Sequence, residues 1–184
     1  MAISSRLPGR QQIIQVYAII VLIIFSWTIL WLFWKLPSWR IFLTAWEIVG
    51  VLAFSLSTAL GESLVVLSAL LILALSLPRA WFGEVFVARG ASLAATALGT
   101  MMFLDDQLKH EMLYPELPLG VWLLALPLAA IVLIPYAAGR IAWFRRIVES
   151  FADRATIFLY IMLPLSGISM FVVLVRALAL TLSS

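Results

Sequence analysis

The sequence predicts an all-α membrane protein, a bundle of transmembrane helices joined by short loops. Of the 184 residues, 65% are hydrophobic and only 11% are charged, whereas a soluble domain of this size has about 25% charged residues. The apolar residues fall in stretches close to the roughly 20 residues that a helix needs to cross the hydrocarbon core. Since too few polar side chains are present to cover a water-facing surface, we expect a single integral membrane domain over residues 1–184.

The first predicted span is the apolar stretch at 13–34, whose C-terminal end is rich in tryptophan. Trp31 and Trp34 place that end at the headgroup level, where tryptophan is enriched. The stretch is too long and too aromatic to be a cleaved signal peptide. We expect the helix to stop at 35–40, because Pro37 disfavours its continuation.

The stretch at 41–77 is almost continuously apolar and admits two interpretations. As one helix it would be about 55 Å long at 1.5 Å per residue, against a hydrocarbon core of about 30 Å. We therefore predict two short spans, 41–60 and 64–77, joined by a turn at Gly61-Glu62-Ser63. The alternative is a single helix with Glu62 inside the membrane, which lowers the number of spans from six to five.

Three more spans are predicted downstream, over residues 85–104, 119–138 and 156–178. A polar segment, 105–118, separates the first two, and a basic segment, 139–155, separates the last two. Helical spacing of apolar residues in the basic segment predicts a short helix on the membrane surface. Prolines inside the last two spans predict bent helices.

The distribution of basic residues predicts the orientation of the bundle. With six spans, the loops at 35–40, 79–89 and 139–155 share one side and hold eight Lys or Arg residues, against three on the other side. The positive-inside rule places the eight in the cytoplasm and the 105–118 loop outside. Five spans give the same balance with the N-terminus inside, so charge does not decide the span count. Short loops and small size lead us to expect a bacterial inner membrane.

Glu62 and Glu47 are the candidate functional carboxylates. With six spans, Glu62 lies in a turn at the outer surface. With five, it lies deep in a helix, where an ionisable group is costly and usually functional; there it would serve proton or cation coupling, or contact a partner helix. Glu47 follows Trp46 near a membrane face, which indicates an interfacial carboxylate or, alternatively, a proton relay.

The polar segment 105–118 contains candidate metal ligands. Asp106 and His110 are four residues apart and share a face if the segment is helical. With Asp105 and Glu111 beside them, two carboxylates and one imidazole are a donor set that holds a divalent ion together with water. The alternative is a solvated loop, which contains such residues without binding any ion.

The basic segment contains candidate contacts for anionic lipid headgroups: Arg140, Arg145 and Arg146. Charge that only sets the orientation of the helices is a sufficient alternative explanation. We therefore expect membrane lipids to be partners of this chain and leave the role of these arginines open.

Small residues recur every four positions along span 85–104, at Ala91, Ala95 and Gly99. This spacing puts them on one helix face, where another helix can approach closely. The pattern predicts contact with other membrane subunits or self-association through this face.

Several classes of chemistry are excluded by composition. The chain has no cysteine and one histidine, which rules out an iron–sulfur cluster or bis-histidine haem held by this chain alone. No phosphate-binding or dinucleotide glycine pattern occurs. The net charge of +3 is explained by membrane topology, so no nucleic-acid partner and no cofactor are predicted.

Two function classes remain open. The first is a non-catalytic integral membrane subunit of a larger membrane assembly, because polar groups are too few for a catalytic site and the loops are short. The second is a transporter or binding protein for a small solute or lipid, with a polar site near Glu62 and bent helices. An enzyme acting on a lipid is a third option, and we expect a non-enzyme.

Overall fold

The computed structural model describes residues 8–77, 85–113 and 121–182, and the described secondary structure is entirely helical. The helices in chain order are α1 Arg10–Phe42, α2 Ala45–Ser76, α3 Phe86–Leu113, α4 Val121–Arg140 and α5 Ala142–Leu182. The prediction of an all-α bundle is confirmed.

Within these described ranges, four helices contain segments long and apolar enough to cross a membrane: Arg10–Phe42, Ala45–Ser76, Phe86–Gln107 and Ala142–Ala179. Within α4, Ala125–Arg140 forms a shorter apolar helix. The composition and length of these helices support the prediction of a membrane protein. Six spans, by contrast, are not supported.

The main correction concerns the stretch at 41–77, where the predicted spans 41–60 and 64–77 form the single helix α2. The expected turn at Gly61-Glu62-Ser63 does not form. Its 32 residues make a helix of about 48 Å at 1.5 Å per residue. A continuous helix satisfies every backbone group internally, whereas a turn at this depth would leave N–H and C=O groups without partners in lipid.

Two further boundaries differ from the prediction. Helix α1 continues through Pro37 to Phe42 instead of ending before it, because a proline in the last turns of a helix removes only one backbone hydrogen bond. The expected surface helix in segment 139–155 is the first part of α5, which runs without interruption from Ala142. The chain therefore turns at Ile141, between α4 and α5.

Helix α1 is the centre of the bundle and packs against α2, α3 and α5, while α4 packs mainly against α3. Six consecutive residues, 16–21, are buried. Because six residues exceed one helical turn of 3.6, this part of α1 is covered on every side. The core around it consists mostly of aliphatic residues and alanine, as expected for closely packed helices in a membrane.

Three contacts fix the relative levels of the helices. The Tyr17 hydroxyl lies 3.2 Å from Ser63 Oγ and joins α1 to α2. A Cβ at Gly90 of α3 would lie 3.3 Å from Val16 Cγ2 of α1. Gln15 of α1 donates to Asp153 of α5 over 3.3 Å. The starts of α1, α3 and α5 therefore lie at one end of the bundle with the C-terminal half of α2.

The two ends of the bundle differ in composition. The end that holds the starts of α1 and α3 is called the basic end, and its described cations are Arg10, Arg89, Arg140, Arg145, Arg146 and Arg154. The opposite end is called the tryptophan end, with Trp31, Trp34, Trp39 and Trp46 beside Lys35, Arg40 and Arg176. Trp31 is at the centre of this group, in edge contact with Trp39 at 5.8 Å and under the Lys35 ammonium at 5.8 Å.

Candidate functional site

Glu62 lies near the middle of α2 and at about mid-depth of the bundle. It lines a groove together with Ile24, and Ile24 is close to the midpoint of the apolar stretch 13–34 of α1. The side chain of Glu62 is exposed on the surface of the chain, whereas that of its neighbour Ser63 is fully buried. An ionisable group therefore faces outward near the middle of a helix that is long and apolar enough to cross a membrane.

The groove beside Glu62 is bounded by α1, α2 and α3 and has a cavity volume of about 480 Å³. Its other lining residues include Trp27 and Thr28 of α1 and Met101 of α3. Asp105, two residues before the end of the apolar part of α3, closes it toward the tryptophan end. The groove thus runs from the tryptophan end to the middle of the bundle, with one carboxylate near each of its ends.

Glu62 has no hydrogen bond or ion pair with any other residue that the structure describes. The hydroxyl groups of α2 are satisfied locally: Thr58 donates to the Phe54 carbonyl over 3.0 Å, and Ser68 donates to the Leu64 carbonyl over 2.7 Å. A carboxylate only accepts hydrogen bonds. The backbone N–H groups of a helix interior are already used in the helix, so α2 itself has no donor for Glu62.

The hydroxyl groups of Tyr17 and Ser63 are buried in the bundle and are satisfied by hydrogen bonds within it. Ser63 Oγ donates to the Leu60 carbonyl over 2.8 Å, so it accepts the hydrogen bond of the Tyr17 hydroxyl at 3.2 Å. Both side chains are buried. Nothing in the sequence singles out this pair, since both residues lie in apolar stretches and only the packing of α1 on α2 brings them together.

Glu47 lies in the first turn of α2 at the tryptophan end, where it caps the helix. The Thr44 N–H and Thr44 Oγ1 donate to Glu47 Oε2 over 2.7 and 2.8 Å, and the Glu47 N–H donates back to Thr44 Oγ1 over 3.4 Å. This reciprocal arrangement is a capping box. It gives Glu47 a structural role at the start of α2, and its roles as an interfacial carboxylate or a proton relay stay predictions.

Arg176 of α5 lies against α2 near Glu47, a proximity that the sequence did not reveal. A methyl group at Gly50 would overlap Arg176 Nη1 and would lie 3.0 Å from its Cζ. Arg176 and Glu47 line one open groove between α2 and α5. The signal available in the sequence was only an arginine near the end of an apolar stretch.

The three arginines predicted to contact lipid headgroups occupy the basic end, each in a different environment. Arg145 Nε donates to Glu149 Oε1 over 2.8 Å in a half-exposed ion pair. The Arg140 guanidinium lies 5.4 Å from the centroid of the Tyr136 ring. Arg146 is exposed. All three lie where headgroups are found if this end meets the membrane surface, and contact with lipid stays a prediction.

Arg89 is a buried cation of the basic end that holds α3 close to α4. It is 9% exposed, and a Cβ at Gly139 of α4 would lie 2.6 Å from Arg89 Cζ. The guanidinium thus rests directly on the backbone of α4, which only glycine permits. The burial of Arg89 between two helices depends on tertiary packing, which the sequence alone does not reveal.

The small residues of α3 do not share one environment. Ala91 is buried in the core, Ala95 is half-buried, and Gly99 is exposed with no atom within 4 Å of an added Cβ. Ala91 is therefore already used for packing within the chain. Only the end of this face at Gly99 is open to another helix, and self-association through it stays a prediction.

The candidate metal ligands lie on the last turns of α3. Asp105 and Asp106 are exposed, and the side chains of His110 and Glu111 lie outside the described residues. Among the described side chains, no group of three His, Asp or Glu residues is placed to hold a metal ion. The helical backbone does give Asp106 and His110 the spacing of one face, so the metal-site hypothesis stays a prediction.

Comparison with known protein families, with curated proteins and with solved structures finds no match for this chain. The position of Glu62 is therefore the main source of functional information.

Proposed function

We propose that the chain is a non-catalytic subunit of a larger membrane assembly, and that the outer face of α2 binds a transmembrane helix of another subunit. The observation that carries the proposal is the exposed carboxylate of Glu62 at mid-depth in a continuous helix. Ionisable groups inside the membrane pair with one another, with backbone groups or with water-filled cavities. The partner helix accordingly presents a basic side chain or a hydrogen-bond donor at the level of Glu62.

The surroundings of Glu62 fit a helix-binding surface. Next to it, Gly61 has no atom within 4 Å of an added Cβ, so the backbone of α2 is open to close approach. Val65, on the same face one turn later, is 68% exposed. A small residue beside a polar group is the combination that favours helix–helix contact in lipid, where apolar side chains alone give little net attraction.

The proposal includes an orientation. With α2 as one helix, the start of α1 lies at the basic end, which holds more of the described basic residues than the tryptophan end. The positive-inside rule then places the basic end in the cytoplasm and the end of α3 outside. A compact chain with short loops fits a bacterial inner membrane. A tag at residue 1 is expected to be inaccessible from outside in intact cells, and labelling there from outside would contradict this orientation.

The assembly is tested by gentle solubilisation of a tagged chain from its native membrane. We expect the wild-type chain to be recovered with a fixed membrane partner and Glu62→Gln to lose it. Asp106→Asn is the matched control, because Asp106 is an exposed carboxylate outside the groove, and it is expected to retain the partner. A monodisperse wild-type chain without any co-purifying protein would contradict the proposal.

The contact face is mapped by crosslinking from single cysteines, which are unique in this cysteine-free chain. Val65→Cys lies on the outer face of α2 near Glu62, and Ile157→Cys is a comparably exposed position on α5. A crosslink to the partner is expected from position 65 and not from position 157. Equal crosslinking from both positions would show that α2 is not the specific contact.

A second candidate function, cation or proton coupling in a small transporter, is favoured by Asp105. The two carboxylates of the groove connect the tryptophan end to mid-depth, and intramembrane carboxylates of this kind mark proton or ion pathways. The purified chain is reconstituted in vesicles that contain a pH-sensitive dye, and a membrane potential is imposed. Proton flux that is present in the wild type and lost in Glu62→Gln would support transport by the chain alone.

A further inference from the structure

We propose that the groove between α2 and α5 at the tryptophan end binds a phospholipid headgroup that carries a primary ammonium, with the phosphate on Arg176 and the ammonium on Glu47. This site is separate from Glu62 and does not depend on the proposed function. It has a cavity volume of about 510 Å³ and opens to the surface of the bundle.

The cation of the site is held in place by the packing of α5 on α2. The Arg176 guanidinium lies on the backbone of Gly50, where no side chain stands between the two helices. Within the described residues Arg176 forms no hydrogen bond and no ion pair, although its charge is close enough to Glu47 for the two to attract. Its planar guanidinium therefore keeps donors for a phosphate, which arginine binds in bidentate geometry.

The Glu47 carboxylate of the site is also held in place, and one of its two oxygens is not used in the helix cap. Glu47 Oε2 accepts both capping hydrogen bonds from Thr44, and these hold the carboxylate at the start of α2. Oε1 accepts no hydrogen bond from the described residues. A carboxylate beside an arginine makes the groove neutral overall. This favours a zwitterionic headgroup over an anionic one, which Glu47 would repel.

The remaining walls and the depth of the groove fit a lipid. Val51 and Phe54 of α2 and Val173 of α5 line it with apolar surface, against which acyl chains can pack. Arg176 lies three residues before the end of the apolar part of α5, at the end of the bundle where tryptophans indicate the headgroup level. Charged groups at the interface and apolar walls below them match the two parts of a phospholipid.

The test uses the full chain, freed of lipid in mild detergent and mixed with phospholipids that have identical acyl chains. Binding of phosphatidylethanolamine, phosphatidylcholine and phosphatidylglycerol is measured by native mass spectrometry. We expect the wild type to bind phosphatidylethanolamine most tightly. Arg176→Gln should weaken that binding by about tenfold or more, the loss expected when a charge-assisted hydrogen bond is removed. Glu47→Gln should remove the preference over phosphatidylcholine.

Arg40→Gln is the matched control, because Arg40 is an exposed cation at the same end and does not line the groove. It is expected to bind phosphatidylethanolamine as the wild type does. Gly50→Ala displaces the guanidinium without removing its charge, and it should lower binding as well. If Glu47→Gln proves unstable, since it also affects the helix cap, Glu47→Asp replaces it and should weaken the preference.

Three results would overturn the proposal. The first is an equal loss of binding in Arg176→Gln and Arg40→Gln, which would indicate a general effect of positive charge. The second is tighter binding of phosphatidylglycerol than of phosphatidylethanolamine by the wild type. The third is Arg176-dependent binding of inorganic phosphate alone at the same affinity, which would assign the groove to a free anion.

Discussion

The inner and outer faces of α2 differ in how their polar groups are satisfied. On the inner face, Ser63 is fully buried and takes part in two hydrogen bonds, with Leu60 and with Tyr17 of α1. On the outer face, the adjacent Glu62 is exposed, and the described residues provide no donor for it. Ser63 is therefore satisfied within the chain. Because lipid provides no donor either, the proposed function assigns the hydrogen-bond donor of Glu62 to another subunit.

The largest effect is expected from packing against the inner face. Gly90 of α3 has Leu70 of α2 and Val16 of α1 within 3.6 Å of an added Cβ, so Gly90→Leu should lower the free energy of unfolding by about 1–3 kcal/mol through overpacking. Thermal unfolding in detergent, followed by tryptophan fluorescence, measures it. Gly61→Leu on the open outer face is the control, since both changes gain the same helix propensity. Equal unfolding free energies for the two variants would show that the inner and outer faces do not differ in packing.

A smaller effect is expected from the buried hydroxyl pair. Ser63→Ala leaves the Tyr17 hydroxyl buried without its acceptor and should cost about 1–2 kcal/mol. Tyr17→Phe removes the donor while Ser63 keeps its bond to Leu60, and it should cost less, about 0.6 kcal/mol. The double variant should be more stable than the sum of the two predicts, because no group is then left unsatisfied. Strict additivity in unfolding measurements would show that the hydroxyls do not interact.

The smallest effect on stability is expected at Glu62 itself. Glu62→Leu should change the unfolding free energy of the isolated chain by no more than about 0.5 kcal/mol, as for other exposed positions, while it abolishes recovery of the partner. Thr58→Val, one turn earlier, serves as a control that should preserve both properties. A loss of stability in Glu62→Leu as large as that of Ser63→Ala would show that the carboxylate acts within the chain.

The presence of apolar helices was predictable from composition, whereas the number of spans, which was inferred from helix length, was predicted less well. Apolar stretches in a chain with few charges predict membrane helices, and the described residues include four helices long and apolar enough to cross a membrane. The prediction of two spans within 41–77 rested on matching helix length to bilayer thickness. A helix longer than the bilayer is free to tilt or protrude, whereas a turn with unsatisfied backbone groups is not tolerated in lipid. The prediction that α1 ends before Pro37 was wrong for a related reason. Losing one hydrogen bond near the end of a helix costs less free energy than ending the helix there.

The candidate site was predictable only in part. Glu62 stood out because a carboxylate interrupts an apolar stretch, and its importance followed once α2 was continuous. Three other features join residues that are distant in sequence: the groove that Glu62 shares with Asp105, the Tyr17–Ser63 pair, and the contact between Arg176 and Gly50. Such contacts depend on which helix faces meet. The apolar stretches of this chain have no pronounced polar face, so their sequence does not indicate which face packs inward.

Helix α5 has a mechanical consequence that follows from its length. It comprises 41 residues, which make a rod of about 60 Å at 1.5 Å per residue, twice the thickness of the hydrocarbon core of about 30 Å. One rod therefore connects the Arg145–Glu149 pair at one end to Arg176 at the other. A pull or tilt applied to the basic end moves the groove at the opposite end, and Pro164 is the point within α5 where the rod bends most easily. A displacement of one end of α5 is therefore transmitted to the other end through a single helix.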